Sequence, residues 1–210
     1  MSSPWLTIPL ADYEGHMQSS DVQQLSALAD LFAAALAHRH PASVAILGIA
    51  GGNGLSRIDP ALTHRVVGLD VNPEYLEDVQ RRHTGPYALE LHCVDLAREA
   101  ISIEPVQMVH AALIFEHTGV QLALQNAVSL VAPGGALTVV LQLPSAAEAG
   151  VSASPFPALQ RLQPHFAFID PAWLVDTLTP RGFRLVHEVR QPLPSGKAFW
   201  MGILARNYMA

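Results

Sequence analysis

The 210-residue sequence has little cysteine, little lysine and no long apolar segment. Cys93 is the only cysteine, so no disulfide can form within the chain and no cysteine-rich zinc site can be built. Such cysteine usage predicts a reducing compartment. No apolar run approaches the roughly 18 residues of a membrane span, and no basic residue precedes Asp12. We therefore expect a cytoplasmic protein with neither a secretion signal nor contact with a membrane.

Positive charge is also scarce. Twelve Lys and Arg stand against eighteen Asp and Glu, which gives a net charge of −6, and Lys197 is the only lysine. Nucleic-acid binding needs a basic stripe that neutralises phosphates, and the chain has none, so we expect no nucleic-acid partner. The ten histidines lack the spacing of a metal site, and we predict no metal. The mean hydropathy of +0.25 favours self-association, with a homodimer as the expected form.

Length and hydrophobic pattern predict a single domain over residues 1–210, with an N-terminal arm and helix over 1–40 and an insertion or lid over 144–168. Short, mostly apolar runs are typical of strands buried on both faces. Because five of them alternate with helical stretches, they predict a parallel, doubly wound sheet. The last two runs are joined by a short turn and predict an antiparallel hairpin. The seven predicted strands are Ser43–Ile49, Arg65–Val71, Leu89–Val94, Met108–Ile114, Ala136–Leu143, Phe183–Arg190 and Ala198–Asn207.

The helical stretches are less uniform than the strands. Ser20–His38 has one apolar face, with Ser20 and Gln23 spaced as a capping box, and predicts a long helix. Asn72 and Pro73 are typical of a helix start. The other stretches compatible with a helix are Leu55–Leu62, Pro73–Arg82, Leu96–Ala100, Val120–Val131 and Pro171–Leu178.

Three successive strand ends carry residues suited to a nucleoside. A glycine-rich turn, Gly48–Gly54, follows the first strand, and glycines let a ligand approach the backbone. Asp70 ends the second strand, where a carboxylate can accept hydrogen bonds from both hydroxyls of a ribose. Asp95 ends the third strand and can accept from an adenine amino group, cap the following turn, or do both. The turn has no Gly-Lys-Ser/Thr for a triphosphate, and the chain has no Tyr-x-x-x-Lys pair for a nicotinamide dinucleotide.

The ordered motifs resemble those of class I S-adenosylmethionine-dependent methyltransferases, in particular the bacterial small-molecule branch. The motifs that carry the resemblance are Val44–Gly54, Val66–Pro73, Asp95-Leu96, His110–His117 and Leu130–Leu137. The resemblance implies a Rossmann-like, doubly wound seven-stranded sheet whose last strand is antiparallel, with an N-terminal helical arm before it. It also implies S-adenosylmethionine as the cofactor.

Carried over position by position, the resemblance implies a cofactor site along the strand ends. The turn would contact the methionine part, Asp70 would hold the ribose, and the residues after the second and third strands would surround the adenine. The implied cofactor-binding residues are Gly48, Ala50, Gly52, Gly54, Asp70, Val71, Asn72, Asp95, Leu96 and Ala112. Gly48 departs from the family, which commonly has an acid there that helps to neutralise the cofactor's amino group. Asp12 or Glu14 of the N-terminal arm could supply that acid instead.

Candidates for the acceptor side come from the fourth strand end and the arm. His117 and Glu116 are the candidate catalytic residues, because a histidine has the pKa of a general base; the alternative is a loop histidine bonded to backbone. Tyr13, His16 and Met17 are candidate substrate-binding residues if the arm folds over the cofactor; the alternative is an arm packed on the sheet edge. Gln142 ends the fifth strand and is a further candidate. Phe156, Phe166 and Phe168 would line the same pocket or merely bury the insertion.

Two functions follow as hypotheses. The first is methyl transfer from S-adenosylmethionine to a small-molecule acceptor, expected to be uncharged or weakly polar because the lid is apolar and the net charge is negative. The second is a non-catalytic domain that binds S-adenosylmethionine or a related nucleoside and acts as a partner or sensor. The second is motivated by Gly48 in place of the acid.

Overall fold

The computed structural model describes residues 3–19, 22–145, 151 and 155–208. Seven strands form one mixed sheet in the order β3-β2-β1-β4-β5-β7-β6. The strands are β1 (Ser43–Leu47), β2 (Arg65–Asp70), β3 (Ala88–Cys93), β4 (Val106–Ala112), β5 (Val131–Leu143), β6 (Phe183–Pro192) and β7 (Ala198–Arg206). The predicted fold class, a doubly wound α/β sheet with an antiparallel last strand, is therefore confirmed.

The direction of β7 decides what meets at the functional edge of the sheet. Strands β1 to β5 are parallel to one another, whereas β7 runs antiparallel between β5 and β6. Leu143 at the end of β5 pairs with Ala198 at the start of β7. The residue that precedes β7, Lys197, therefore lies at the edge where the parallel strands end.

The helices match the sequence prediction only in part. They are α1 (Leu10–Gln18), α2 (Gln24–Arg39), α3 (Pro73–Arg82), α4 (Phe115–Thr118), α5 (Gln121–Leu130) and α6 (Pro171–Leu178), with 3-10 helices at Pro4–Thr7, Leu55–Arg57, Pro157–His165 and Thr179–Arg181. Helix α1 was predicted only as an arm. In α2 the residue before the helix is Gln23, in a left-handed conformation; Ser20 lies outside the described residues.

Two predicted helices were wrong. Leu55–Leu62 forms only the 3-10 turn Leu55–Arg57, and Leu96–Ala100 forms hydrogen-bonded turns. In the second segment the amides of Arg98 and Glu99 bond to the carbonyl of Asp95, which closes a single turn. One turn orders several residues for very few hydrogen bonds, so a segment of this length does not propagate into a helix.

Both faces of the sheet are covered by helices, which explains why its strands read as continuous apolar runs. In β1, Val44 and Ile46 pack with the helices α2 and α3, whereas Ala45 and Leu47 pack on the opposite face with α5 and α6. No helix of the described residues is long and apolar enough to cross a membrane.

A third, smaller apolar cluster covers the carboxyl edge of the sheet. Ile8 packs there with Leu159 and Leu162, so Pro4–Gln18 and Pro157–His165 together form what we call the cap. The cap is tied to the body because Asn72 Nδ2 donates to the carbonyl of Trp5 (3.0 Å) and the Tyr75 hydroxyl donates to that of Ile8 (2.8 Å). Residues 146–150 and 152–154 of the predicted insertion lie outside the described residues.

Candidate active site

A cavity of about 530 Å³ lies between the cap and the carboxyl edge of the sheet. This volume is in the range of small-molecule sites. One end is formed by Asp70, Val71, Val94, Asp95 and Leu96, and we call it the β2–β3 end. The other is formed by His16, Gln24, Gln142 and Lys197, and we call it the β5–β7 end. Gly48, Ala50, Ala112 and His117 line the wall between them.

Asp70 supplies a buried, hydrogen-bonded carboxylate at the β2–β3 end. Its two carboxylate oxygens each accept a backbone hydrogen bond of 2.9 Å, one from Ala50 and one from Asn72. Burial raises the pKa of Asp70, and the hydrogen bonds from these amides and from Val71 oppose that rise. The side chain is therefore fixed in direction at the cavity wall, with its position set by the end of β2 and by the glycine-rich turn.

The glycine-rich turn divides into two parts with different roles. Gly48 (φ +70°) and Ala50 (φ +46°) lie in left-handed conformations and line the cavity. Gly52 and Gly54 are not among the lining residues: a β-carbon at Gly52 would meet His83, and one at Gly54 would meet Phe32. Gly52 and Gly54 therefore allow the turn to pack against His83 and Phe32, whereas Gly48 and Ala50 place backbone atoms at the cavity wall.

The residues after β2 and β3 also divide. Val71 and Leu96 line the cavity with apolar surface. Asp95 lines it as well and also accepts a hydrogen bond from the Ala97 amide (3.0 Å). Its carboxylate therefore caps the following turn while the residue remains at the cavity wall. Asn72 is not a lining residue, because its side chain caps α3 through the amide of Glu74 and holds the carbonyl of Trp5.

His117 lies in the middle of the cavity wall, edge-on between two aromatic rings. Its ring centroid is 5.2 Å from that of Trp5 and 5.3 Å from that of Phe166. Burial, with a smaller contribution from His165, lowers the pKa of His117 to about 4, so the ring is neutral at pH 7. Within the described residues, its buried Nδ1 has no hydrogen-bond partner.

Glu116 lies behind the wall and is not a lining residue. It is 1% exposed, and its Oε1 accepts a hydrogen bond from the backbone amide of Gln142 (2.9 Å). Its Oε2 has no partner among the described residues, and burial raises the pKa of Glu116 to about 7. Glu116 therefore contacts the strand that carries Gln142 and does not line the cavity.

The β5–β7 end brings together side chains from four elements. His16 of α1, Gln24 of α2 and Gln142 of β5 meet Lys197 of the hairpin, and each is more than nine-tenths buried. Burial, and after it the charge of Lys197, lowers the pKa of His16. The Nδ1 of His16 has no partner within the described part of the chain. Of the sequence candidates, His16, Met17, Tyr13 and Gln142 all lie on the cavity wall.

Tyr13 lies near two acids, Asp70 at the end of β2 and Glu14 of its own helix α1. Burial and the charges of Asp70 and Glu14 raise its pKa, so the phenol stays protonated. Glu14 itself pairs with Arg82 at 2.6 Å and lies so close to Gly51 that a β-carbon would not fit there. Neither Glu14 nor Asp12 lines the cavity, where the described acids are Asp70 and Asp95. The proposed replacement for the missing acid at Gly48 is therefore absent from the described wall.

Sequence reasoning missed several residues of the wall, above all Lys197, Gln24, Trp5 and Tyr75. Trp5, Tyr75 and Gln24 belong to segments with no motif. The place of Lys197 could have been predicted from the sequence. A hairpin whose last strand is antiparallel to the fifth strand must begin that last strand at the edge where the parallel strands end. A lone lysine at that position lies next to the site.

Comparison with known proteins agrees with this geometry. Residues 44–135 match a protein family described as "Methyltransferase domain". This segment runs from β1 to the start of β5 and holds the glycine-rich turn, Asp70, Asp95 and His117. A search of curated proteins gave no significant match.

Solved structures show the same fold at low sequence identity. The N-methyltransferase NodS from Bradyrhizobium japonicum WM9, solved with S-adenosyl-L-homocysteine, is 17% identical, with 92% of this chain and 95% of NodS covered and a TM-score of 0.65. Magnesium protoporphyrin IX methyltransferase from Synechocystis PCC 6803 is 13% identical, with 89% and 86% covered and a TM-score of 0.67. The [4+2]-cyclase SpnF is 12% identical, with 90% and 83% covered and a TM-score of 0.67.

Residues 44–135 match the methyltransferase-domain family, and the whole chain shares its fold with solved methyltransferases. The resemblance noted in the sequence is therefore confirmed.

Proposed function

We propose that this protein transfers a methyl group from S-adenosylmethionine to a small-molecule acceptor. The observation that carries the proposal is one cavity with a fixed, buried carboxylate at the β2–β3 end and a neutral imidazole with a partnerless Nδ1 in its wall. The carboxylate suits the ribose hydroxyls of an adenosine, and the imidazole suits an acceptor that must lose a proton. The volume of about 530 Å³ under a closed cap favours an acceptor of small size.

The residues of the β2–β3 end fit the adenosine part of the cofactor. Asp70 would accept from the ribose hydroxyls, with Val71 and Leu96 against the adenine faces and Asp95 at its amino edge. Gly48 and Ala50 would lie beside the methionine part. Gly48 has no side chain, and a β-carbon there would collide with Ile114, which also lines the cavity. When bound, S-adenosylmethionine supplies an electrophilic methyl carbon on a sulfonium, and orientation of the acceptor is then the main task of the protein.

His117 would serve the acceptor as a proton acceptor. When the lone pair of the acceptor bonds to the methyl carbon, the carbon–sulfur bond breaks with its electron pair on sulfur, and His117 takes the proton that the acceptor releases. A base with a pKa of about 4 takes a proton only from a group that has become strongly acidic, such as a hydroxyl oxygen that has just gained a methyl group and become an oxonium. Glu116 would act as a positioning residue through the Gln142 amide.

Binding without methyl transfer is the second candidate function. It is favoured by Gly48, which replaces the acid that the family commonly has, and by the absence of Asp12 and Glu14 from the described cavity wall. The fold is shared with a protein named for cyclisation rather than for methyl transfer, so the fold alone does not decide between the two.

The test is transfer of labelled methyl groups into a pool of small molecules from bacterial extract, with nucleic acid and protein fractions counted in parallel. We expect label in the small-molecule fraction. Label only in protein or nucleic acid would exclude a small acceptor. Binding of S-adenosylhomocysteine in a calorimeter without transfer to any fraction would favour the second candidate.

A His117→Gln variant tests the proton-acceptor role. We expect transfer to fall by about a hundredfold while S-adenosylhomocysteine still binds as in the wild type. His187→Gln is the matched control, because His187 lies on β6, outside the cavity, where its ring stacks on His38. Equal transfer by both variants would exclude His117 as the proton acceptor.

A further inference from the structure

Asn72 lies just after the end of β2 and is not among the residues that line the cavity. It is 3% exposed, and its polar groups reach in different directions. Its backbone amide donates to Oδ1 of Asp70 (2.9 Å), its Oδ1 accepts from the Glu74 amide (3.0 Å), and its Nδ2 donates to the carbonyl of Trp5 (3.0 Å). One buried residue therefore contacts the carboxylate proposed for the ribose, the start of α3 and the cap.

A second hydrogen bond joins α3 to the same segment of the cap. The hydroxyl of Tyr75, a residue that is 2% exposed, donates to the carbonyl of Ile8 (2.8 Å). Ile8 in turn packs with Leu159 and Leu162, so this bond also holds the other segment of the cap. Buried hydrogen bonds to carbonyls are costly to lose, because a carbonyl can be left without a partner away from water. The start of α3 therefore fixes the cap over the cavity.

Trp5 is the residue of the cap through which Asn72 reaches the centre of the cavity. The Trp5 ring lines the cavity and lies edge-on to two others: the centroid of His117 is 5.2 Å away at an angle of 88°, and that of Tyr13 is 5.6 Å away at 78°. Closely packed rings restrict the orientation of their neighbours. An imidazole takes a proton only when it is correctly oriented, so a displaced Trp5 would disturb proton transfer at His117.

We infer that Asn72 is a positioning residue for methyl transfer: it holds Trp5 beside His117 and thereby links occupation of the ribose site at Asp70 to closure of the cap. This rests on the proposed function. A ribose bound to Asp70 and the Asn72 amide share one carboxylate, so the ligand and the cap belong to one hydrogen-bonded chain. Coupling free energies are reciprocal, so a cofactor that closes the cap is also bound more tightly by the closed cap.

Two substitutions separate the bond to the cap from the other roles of Asn72. Asn72→Ser and Asn72→Asp both keep a side-chain oxygen at the start of α3, because serine and aspartate are as good N-caps as asparagine. Both also keep the backbone amide that bonds to Asp70, and both lose the donor to the Trp5 carbonyl. Only Asn72→Asp adds a charge, so an effect that the two variants share reports the lost hydrogen bond.

Hydrogen–deuterium exchange of residues 4–18 in the full-length protein measures closure of the cap. In the wild type, we expect saturating S-adenosylhomocysteine to slow this exchange about tenfold. In both variants, exchange without ligand should be about tenfold faster than in the wild type, and the slowing by S-adenosylhomocysteine should be lost. By reciprocity, affinity for S-adenosylhomocysteine should fall by at most about tenfold.

Methyl transfer gives a second measurement on the same variants. With S-adenosylmethionine saturating, transfer into the small-molecule fraction should fall about tenfold in Asn72→Ser and Asn72→Asp, because His117 is less well oriented. A loss of cofactor affinity alone would not lower transfer at saturation. Unchanged transfer in both variants would overturn the positioning role.

Thr63→Val is the matched control. Thr63 is 2% exposed, and its hydroxyl donates to the carbonyl of Pro41 (2.7 Å) where β1 and β2 begin, at the edge of the sheet opposite the cavity. This variant also loses a buried bond to a carbonyl, so its stability should fall in urea unfolding, while the slowing of cap exchange and the transfer rate should be retained. Loss of both in Thr63→Val, as in Asn72→Ser, would overturn the inference, because general destabilisation would then explain it.

The outcomes separate this inference from the proposed function. If the wild type binds no S-adenosylhomocysteine, the proposed function fails, while exchange without ligand still tests whether Asn72 holds the cap. If S-adenosylhomocysteine binds but slows the cap equally in the wild type and in Asn72→Ser, or slows it in neither, the proposed function stands and the inference falls.

Discussion

The two ends of the cavity are built in different ways. At the β2–β3 end, the wall comes from neighbouring strands and the residues that directly follow them, and Asp70 is held by backbone amides of adjacent turns. At the β5–β7 end, His16, Gln142 and Lys197 come from the first helix, the fifth strand and the last hairpin. The backbone geometry of consecutive β-α units is thus enough to form the β2–β3 end. The β5–β7 end depends on contacts between remote parts of the chain.

The difference extends to the packing above each end. The sheet and its helices bury two large apolar clusters, whereas the buried cluster of the cap consists, among the described residues, of Ile8, Leu159 and Leu162. Regions with few buried apolar contacts open at lower free energy than the core. We therefore expect the cap to open locally, so that acceptor binding is more sensitive to changes in the cap than the fold is.

Removal of the Asp70 carboxylate should give the largest effect. Asp70→Ala deletes an acceptor for two ribose hydroxyls, and hydrogen bonds to a charged group contribute about 1.5–3 kcal/mol each, so affinity for S-adenosylhomocysteine should fall at least about a hundredfold. Calorimetry measures it, with the exposed Asp176→Ala as the control for loss of a carboxylate. Near-normal affinity in Asp70→Ala would mean that the β2–β3 end does not hold the ribose.

Glu116 should reveal the cost of a buried carboxyl group beside the β5–β7 end. Its folded pKa of about 7 exceeds the ordinary value of 4.5, so its stabilising contribution is complete below pH 4.5 and is lost as pH rises to 7. Glu116→Gln removes this loss. Between pH 5 and pH 8, the stability of the variant relative to the wild type should rise by about 2 kcal/mol.

Urea unfolding at the two pH values measures this change. The buried histidines titrate in both proteins, so their contributions cancel in the comparison. A difference between the two proteins that is the same at pH 5 and pH 8 would contradict the raised pKa of Glu116.

Truncation in the cap should separate use of the acceptor from binding of the cofactor product. Leu162→Ala should lower methyl transfer to small molecules about tenfold, because the cap side of the cavity wall loosens, and leave S-adenosylhomocysteine affinity within about twofold. The control is Leu178→Ala, in the main core, which should instead lower the free energy of unfolding by about 2–5 kcal/mol. Equal losses of methyl transfer and of S-adenosylhomocysteine affinity in Leu162→Ala would mean that the cap serves the whole cavity alike.

The residues that were predictable share a local cause. Asp70, Asp95 and the turn at Gly48 and Ala50 follow directly from strand ends, and the parallel direction of the strands brings them to one edge. Gly52 and Gly54 share the motif but pack against His83 and Phe32, because a motif does not show which of its members faces the ligand. The wrongly predicted helix at Leu96–Ala100 has the same origin: its residues favour a turn, and only the tertiary contacts decide how far the turn extends.

The sequence by itself determined the order of most strands and helices, the class of fold and the residues of the β2–β3 end of the cavity, because hydrophobic period and turn residues act over short distances along the chain. Only the tertiary structure decided the β5–β7 end. Lys197 reaches it because β7 returns antiparallel beside β5, and His16 reaches it because α1 is part of the cap. Contacts between residues so far apart depend on how the elements pack, and packing is a property of the whole chain that no single segment contains.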